Sequence, residues 1–220
     1  MRKAIVSGAN GFVGSAVVKE LISQGYEVYA LVRENHYDQV PINEMVRIVP
    51  FSLENIEALG EVIPINEYEA FYHFAWNGSA GVDRADTALQ LKNAQWTVEC
   101  LQMAKRLGCK RFVPAGSIME HETIAAVYTQ GNRPGAGYIY GSGKVAAHMM
   151  CMSMAVKEGI NLVWPKITNA YGPSERSPRL VNSTIRKCIA GEDPQFTAGT
   201  QNYDFVYIDD VALSLIHISE

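Results

Sequence analysis

Short apolar runs rich in β-branched residues alternate along the chain with longer segments in which apolar residues recur at helical spacing. The short runs predict strands at residues 4–6, 28–32, 47–49, 70–74, 111–115 and 162–167. The longer segments predict helices at residues 13–23, 88–107 and 140–157. Alternation of this kind is typical of βαβ units, so the sequence predicts an α/β fold with a doubly wound parallel sheet. Pro165 cannot donate a ladder hydrogen bond, so we expect the sixth strand at an edge or a bulge.

Composition narrows the class of protein. The chain has 220 residues, a formal net charge of −4 and 48% hydrophobic residues, enough for one sizeable core with a small appended lobe. It has no basic stripe, which argues against a nucleic-acid partner. The four cysteines show neither CxxC nor metal-ligand spacing, and the longest apolar stretch, residues 145–156, is too short for a bilayer. With no signal peptide before the first strand, we expect a soluble cytoplasmic protein that binds no metal.

Three glycines spaced three residues apart, Gly8, Gly11 and Gly14, lie between the first predicted strand and the first predicted helix. The first permits a tight turn, the second lets a pyrophosphate approach the backbone, and the third lets the helix pack on the strand. The pyrophosphate would meet unpaired N–H groups at the positive end of the helix dipole. Glycines alone also fit an ordinary turn, but their place between strand and helix favours a dinucleotide site in a Rossmann domain.

The end of the second predicted strand determines which dinucleotide fits. An acidic residue there would hold the adenosine ribose hydroxyls, whereas an arginine suits a 2′-phosphate. The strand ends in Val32 and Arg33, and Arg33 can bind a phosphate with two parallel hydrogen bonds. A solvated surface arginine is the plain alternative. We therefore expect NADP(H) in preference to NAD(H), and NAD(H) stays open.

A phenol and an ammonium stand four residues apart at Tyr140 and Lys144, which places them on one face of a helix. We expect the ammonium to lower the pKa of Tyr140, so that the phenol can act as a general acid or base. Ser117 follows the fifth predicted strand, at the end of the sheet where ligands bind, and its hydroxyl can hydrogen-bond a substrate oxygen. Each residue alone has a structural explanation, such as a loop-capping serine, but together they favour hydride chemistry with a nicotinamide cofactor.

Three other groups of residues receive different interpretations. Glu120, His121 and Glu122 are adjacent in the sequence, so we expect a substrate-facing or solvated loop and not a metal site. His148 is expected on a helix face and not in a proton relay. Trp76 begins the loop after the fourth predicted strand, where substrate contact and packing both stay open.

Together with further motifs, these residues resemble the extended short-chain dehydrogenase/reductase family, in its NAD-dependent epimerase/dehydratase group that modifies nucleotide sugars. The further motifs are His73-Phe74-Ala75, the pair Asn93 and Thr97, Asn169-Ala170-Tyr171-Gly172-Pro173 and residues 203–212, so the likeness covers nearly the whole chain. The resemblance implies a nucleotide-sugar substrate, a homodimer, and a catalytic triad of Ser117, Tyr140 and Lys144. The cofactor-binding residues that it implies are Gly8, Asn10, Gly11, Phe12, Val13, Gly14, Arg33, Ser52, Leu53, Phe74, Ala75, Asn93, Tyr140, Lys144, Lys166 and Asn169.

The chain departs from the family pattern near the predicted site. Dehydratases of this group carry Asp-Glu directly after the Ser/Thr position, where this chain has Ile118 and Met119. Because neither side chain can transfer a proton, the resemblance argues against sugar 4,6-dehydration. Ser52 stands where the family usually has an aspartate near the adenine, and Lys166 replaces a frequent arginine, so the cofactor contacts at these two positions are open.

The domain plan follows from the same likeness. Residues 1–172 are expected to form the dinucleotide-binding Rossmann domain, and residues 173–220 part of a substrate-binding region. Members of the family usually continue for about a hundred more residues, which complete that region. Residues 213–220 look like the translated end of a sequencing adapter, so we expect the natural reading frame to continue differently there.

The leading interpretation of function is an NADP(H)-linked reductase of a 4-keto sugar nucleotide. Tyr140 would pass the proton, Ser117 would orient the oxygen, and Lys144 would tune Tyr140 and hold the nicotinamide ribose. A nucleotide-sugar 4-epimerase that retains NAD is the alternative, and it would use the same three residues. Two rivals of other classes stay open: a module that senses NADP(H) without turnover, and a reductase of a small non-sugar carbonyl.

Overall fold

Ten strands and seven α-helices alternate along residues 1–219, which are the residues that the computed structural model describes. The strands are β1 Lys3–Ser7, β2 Glu27–Val32, β3 Val46–Pro50, β4 Ala70–His73, β5 Arg111–Pro114, β6 Gly116–Ser117, β7 Asn161–Leu162, β8 Lys166–Ile167, β9 Asn169–Tyr171 and β10 Phe205–Tyr207. The helices are α1 Phe12–Ser23, α2 Leu59–Val62, α3 Thr87–Leu107, α4 Met119–Tyr128, α5 Tyr138–Glu158, α6 Leu180–Ile189 and α7 Ile208–His217. Two 3-10 helices cover Leu53–Ala58 and Val82–Ala85.

Six of the strands form one parallel sheet in the order β3-β2-β1-β4-β5-β7. The chain runs outward from β1 to β3 and then returns to continue on the other side of β1, where Ile5 pairs with Tyr29 of β2 and with Phe71 of β4. In such a sheet, ligands bind beyond the carboxyl ends of the strands at the reversal. The predicted doubly wound parallel sheet is confirmed, and the reversal between β1 and β4 shows where to look for a site.

Separate groups of helices cover the two faces of this sheet. Helices α3 and α5 pack together over one face, and α1 and α7 pack together over the other. Along β4 and β5, Phe71 and Phe112 belong to the core beneath α3 and α5, whereas Tyr72 and Val113 belong to the core beneath α1 and α7. This alternation follows the two-residue period of a strand. Burial on both faces explains why these strands have continuous apolar runs in the sequence.

The strand predicted at residues 162–167 is divided in the structure. Strand β7 continues the main sheet beside β5, whereas β8 pairs with β6 in a separate two-stranded ladder. Between them lies Pro165, which has no N–H to donate and whose carbonyl accepts the Gly116 N–H at 2.8 Å. The prediction of one continuous strand is therefore wrong, and the irregularity expected at Pro165 is the point where the strand divides.

One prediction around the catalytic motifs needs correction. The loop expected at residues 120–122 is the first turn of α4. This turn lies beside the predicted catalytic residues, and α4 packs directly on α5. Helix α5 itself covers Tyr138–Glu158, which confirms the helix predicted from about residue 140.

Residues beyond the predicted domain boundary at 172 contribute to the same body. Strand β10 pairs with β9, and α7 packs on α1 with Leu215 and Ile216 buried in the core that includes Leu21. Helix α7 therefore includes part of the octet 213–220, whose last residue, Glu220, lies outside the described residues. The division into two domains stays a prediction. Among residues 1–219, no helix is both long and apolar enough to cross a membrane.

Candidate active site

The glycine turn connects β1 to α1 and folds through contacts of its own backbone. The Gly11 N–H donates to the Gly8 carbonyl at 2.9 Å, and Gly8 has a φ of +67°, a left-handed conformation that favours glycine. A Cβ at Gly8 would lie 2.8 Å from the Ala75 N atom, and a Cβ at Gly14 would overlap the Gly8 carbonyl oxygen. Gly11, at the N-cap of α1, is exposed and has no side chain, which leaves the amides of the first turn to a ligand. The turn therefore has the shape that a pyrophosphate requires.

The loop after β2 lies beside this turn. Asn10 donates from Nδ2 to the His36 carbonyl at 2.7 Å, which holds the loop against the turn. Arg33 begins the loop and is exposed, so its guanidinium is accessible to a ligand. Ser52 is also exposed, but its Oγ accepts the Glu54 N–H at 3.2 Å and caps the following 3-10 helix. The structure therefore engages Ser52 in a local cap and leaves Arg33 accessible.

The other predicted cofactor residues are either packed in or against the protein core or half-buried on β8 and β9. The apolar ones pack in or against the protein core: Phe12, Val13, Leu53, Phe74 and Ala75. Lys166 on β8 is half-buried, with its Nζ 3.0 Å from the His121 Nε2 atom. Asn169 begins β9 and is half-buried. Lys166 and Asn169 both follow the point where the predicted sixth strand divides.

Two buried amide side chains of α3 fix the loop that follows β4. Asn93 accepts the Asn77 N–H at 2.9 Å and donates to the Asn77 carbonyl at 2.8 Å. Gln90 accepts the Trp76 Nε1–H at 2.8 Å and donates to the Gly78 carbonyl at 3.0 Å. The structure thus gives Asn93, predicted as a cofactor residue, a role in supporting the loop that carries Trp76. Gln90 has no counterpart among the predicted residues.

Ser117, Tyr140 and Lys144, the predicted catalytic residues, come together at the carboxyl end of β5. The Ser117 side chain interacts with the Tyr140 phenol, and the Lys144 Nζ lies 5.8 Å from the centroid of the Tyr140 ring. Lys144 also donates to the Ala115 carbonyl at 2.9 Å, and its Nζ lies 3.5 Å from the centroid of the Trp76 ring. Trp76, whose contacts the sequence leaves open, is therefore a neighbour of the predicted triad.

The first turn of α4 fixes the backbone and the hydroxyl of Ser117. Its Oγ accepts the Met119 N–H at 3.2 Å, while the Glu120 Oε1 accepts the Ser117 N–H at 2.7 Å. The bond from Ser117 to Glu120 is the return half of a capping box, for which Ser-x-x-Glu is the sequence signature, while the Ser117 hydroxyl accepts from the second residue after it instead of the third. The Ser-x-x-Glu spacing is a local signal for the start of α4 that the sequence predictions above did not use. Because the Ser117 oxygen accepts from the backbone, its own proton can be directed to Tyr140 or to a substrate oxygen.

Glu120 is buried beneath the site and fully hydrogen-bonded. Its Oε2 lies 2.8 Å from the His148 Nδ1, and its Oε1 also accepts the Trp164 Nε1–H at 3.0 Å. The His148 ring stacks on Trp164 with a centroid distance of 4.4 Å. Glu120 is therefore not in a solvated loop, and His148 is not simply a helix-face residue. Both corrections arise because α4 packs on α5, which turns the carboxylate inward.

Burial dominates the electrostatics of the predicted pair. It raises the pKa of Tyr140 above the ordinary value, against opposing effects from the Arg84 charge and the Ser117 side chain. It also lowers the pKa of Lys144 to about 7, against the opposing charge of Glu120. The expectation that Lys144 lowers the pKa of Tyr140 is therefore wrong in its net direction. At neutral pH, Tyr140 is a phenol that carries a proton to donate.

His73 connects the glycine turn to the catalytic side of the site. Its Nδ1 lies 2.8 Å from the Ser7 Oγ at the end of β1, and its ring stacks on Phe112 of β5. Burial lowers the pKa of His73 to about 3, so the imidazole is neutral at physiological pH. The motif that contains His73 therefore serves the contact between neighbouring strands at the topological reversal.

The sequence and the fold can now be compared with known proteins. The model of the NAD dependent epimerase/dehydratase family matches residues 4–220. UDP-glucuronic acid decarboxylase 1 of Xenopus tropicalis is 26% identical over 98% of this chain and 53% of its own length. The dTDP-6-deoxy-L-talose 4-dehydrogenase (NAD(+)) of Aggregatibacter actinomycetemcomitans is 26% identical over 96% of this chain and 77% of its own length. The chain spans about half the length of the decarboxylases that it matches.

Solved structures share the fold. The UDP-N-acetylglucosamine 4-epimerase from Methanobrevibacter ruminantium, in complex with UDP-N-acetylmuramic acid, superposes with a TM-score of 0.80 at 19% identity. It is covered over 73% of its chain, against 99% of this one. The UDP-glucose 4-epimerase from Thermotoga maritima, with UDP-glucose, has a TM-score of 0.79 at 22% identity, with the same coverage of both chains. At these identities the likeness establishes the fold.

Proposed function

The chain belongs to the NAD dependent epimerase/dehydratase family, and on that premise we propose that it is an NADP(H)-linked reductase of a 4-keto group on a nucleotide-activated sugar. One observation carries the hydride chemistry: the Ser117 side chain and the Lys144 ammonium meet the Tyr140 phenol at the carboxyl end of β5. Reduction of a carbonyl needs a proton donor, and a tyrosine phenol is protonated at neutral pH. Arg33 favours reduction over epimerisation, because a reductase releases its cofactor and a guanidinium suits the 2′-phosphate of NADP(H).

The residues around the glycine turn fit a dinucleotide. A side chain at Gly8 would collide with the backbone of Phe74 and Ala75 directly after β4, and Gly11 leaves the first amides of α1 accessible. Asn10 holds the loop after β2 close to the turn, so Arg33 stands near the position of an adenosine ribose. A guanidinium suits a 2′-phosphate there, and the preference for NADP(H) over NAD(H) rests on Arg33 alone.

The proposed chemistry divides between the cofactor and the protein. The bound nicotinamide would supply a hydride to the carbonyl carbon, which provides both electrons of the reduction. Tyr140 donates its phenol proton to the carbonyl oxygen, so the carbonyl becomes a hydroxyl and the tyrosine becomes a phenolate. Ser117 donates a hydrogen bond to the same oxygen while negative charge develops on it. Lys144 lies one turn from Tyr140 and would hold the nicotinamide ribose.

Relatives and local sequence support a carbonyl substrate on a sugar nucleotide. A curated relative is named as a dTDP-6-deoxy-L-talose 4-dehydrogenase (NAD(+)), an enzyme of the 4-position, and this name supports the position on the sugar but not the choice of NADP(H). Ile118 and Met119 follow Ser117 where an acid and a base would be needed for dehydration, and neither can transfer a proton. A homodimer also belongs to the proposal, since Met149, Met152 and Val156 expose apolar surface along α5.

A 4-epimerase that retains its cofactor is the second candidate, because the fold superposes on two named 4-epimerases.

The proposed reductase activity is tested by an assay of the purified chain with NADPH and a dTDP-4-keto-6-deoxy sugar. We expect one NADPH to be oxidised for each sugar reduced. Interconversion of UDP-glucose and UDP-galactose without net NADPH consumption would replace the reductase with the epimerase. Tight NADPH binding with no turnover of any sugar nucleotide would favour the cofactor-sensing module, and turnover of small ketones alone would favour the non-sugar reductase.

A further inference from the structure

Arg84 lies on the ring of Tyr140. It belongs to the 3-10 helix Val82–Ala85, in the loop between β4 and α3. Its guanidinium carbon lies 4.0 Å from the centroid of the Tyr140 ring, and its Nη1 donates to the Ser79 carbonyl at 2.8 Å. Trp76 approaches the same ring edge-on, with the two centroids 5.9 Å apart. The proposed acid is thus held between a cation and an aromatic side chain.

The loop that carries Arg84 is fixed by buried hydrogen bonds. Gln90 donates from its amide to the carbonyls of Gly78 and Asp83, both at 3.0 Å. Asp86 accepts the Leu89 N–H at 3.0 Å and caps α3 directly after the loop. Arg84 itself is half-buried, and burial of a cation against an aromatic face strengthens its interaction with the ring. Its place on Tyr140 is therefore set by the fold.

We propose that Arg84 is the positioning residue that stabilises the negative charge left on Tyr140 when the phenol gives up its proton. The sequence spacing suggests Lys144 for this role, but the Lys144 ammonium is directed to the Ala115 carbonyl and to the face of Trp76. As a residue type, arginine suits this role better than a buried lysine, because a guanidinium is planar, is weakly hydrated and stacks on aromatic faces. The catalytic significance of this contact rests on the proposed function, since it requires Tyr140 to be the acid.

The groups that face Tyr140 come from several elements, and Arg84 has the largest effect among those that favour the phenolate. The others are Ser117 of β6, Glu120 of α4, Lys144 of α5 and Arg179 before α6. Burial and Glu120 both raise the pKa of Tyr140. Arg179 is paired with Glu175 at 3.9 Å, which offsets part of its charge. Removing Arg84 therefore leaves only the Ser117 side chain and the partly offset charge of Arg179 against burial, and the phenol becomes a weaker acid.

The direct test follows the ionisation of Tyr140 without a substrate. Tyrosinate absorbance is recorded in rapid pH jumps, before unfolding, and the signal of a Tyr140→Phe chain is subtracted to isolate Tyr140. We expect Arg84→Met to raise the midpoint by about 1 pH unit, and Arg84→Lys, which keeps the charge, to raise it by about half as much. Arg106→Gln, which removes an exposed arginine paired with Glu57, should leave the midpoint unchanged.

Kinetics provide the second readout. In NADPH-dependent reduction, Arg84→Met should lower kcat at pH 7 by about tenfold with KM unchanged, since a weaker acid donates its proton more slowly. The loss of activity at alkaline pH should also move upward with the Tyr140 midpoint. If kcat falls while the midpoint stays in place, the proposal is overturned and Arg84 merely supports the loop. If the midpoint moves but no keto sugar is reduced, the proposed function fails while the action of Arg84 on Tyr140 stands.

Discussion

The glycine turn and the catalytic cluster, as we call the predicted catalytic residues Ser117, Tyr140 and Lys144, lie at the same edge of the sheet but are built in different ways. At the turn, one short segment from Ser7 to Gly14 supplies the backbone amides, and the decisive property of Gly8 and Gly14 is that they have no side chain. In the catalytic cluster, side chains from separate elements meet around Tyr140, so the decisive property is the contact between them. The first kind of site is sensitive to added atoms, and the second to removed or displaced ones.

The largest expected effect lies in the catalytic cluster. Tyr140→Phe removes the proton donor but keeps the ring between Arg84 and Trp76, so turnover should fall by about 1,000-fold. NADPH affinity should fall by no more than about tenfold, because the glycine turn that binds the pyrophosphate is unchanged. Stopped-flow oxidation of NADPH and a fluorescence titration measure the two quantities separately. Tyr138→Phe, two residues earlier on α5, is the matched control and should retain activity. Turnover by Tyr140→Phe within tenfold of the parent would remove Tyr140 from the mechanism.

The next effect belongs to the glycine turn. Gly14→Ala places a Cβ on the Gly8 carbonyl oxygen, so we expect a loss of about 1–3 kcal/mol in the free energy of unfolding. The displaced turn should also weaken NADPH binding by at least about tenfold. Urea unfolding and a cofactor titration report these changes. Gly60→Ala is the control, because its Cβ would have only the Met103 Cε within reach, at 4.0 Å. Equal stability of the two alanine variants would contradict the close approach at Gly14.

The smallest effect concerns the identity of the cofactor. Arg33→Gln removes an exposed guanidinium beside the turn, so the Kd for NADPH should rise by about tenfold while the Kd for NADH stays the same. Arg133→Gln changes an exposed arginine of the loop before α5 and serves as the charge-matched control. If both cofactors bind the Arg33 variant as they bind the parent chain, Arg33 is a solvated surface residue and the preference for NADP(H) has no basis.

The sequence by itself determined the elements whose signals are local. The alternation of apolar runs predicts the parallel sheet, and three spaced glycines between strand and helix predict the turn. The four-residue spacing of Tyr140 and Lys144 places both on one helical face, which the structure contains in α5. The start of α4 could also have been predicted, because Ser117 and Glu120 have the Ser-x-x-Glu spacing of a capping box. In each case the interacting groups are close along the chain, so their contact can be predicted without knowledge of the fold.

Only the tertiary structure decided the environment of these residues. It set Arg84 on the Tyr140 ring, turned Lys144 toward Trp76, and joined Glu120 to His148 beneath the site. It also reversed the expected direction of the Tyr140 pKa, because burial outweighs the nearby positive charges. Burial and contacts between distant segments depend on how the helices pack on the sheet, and neither quantity is encoded in the spacing of residues along the chain.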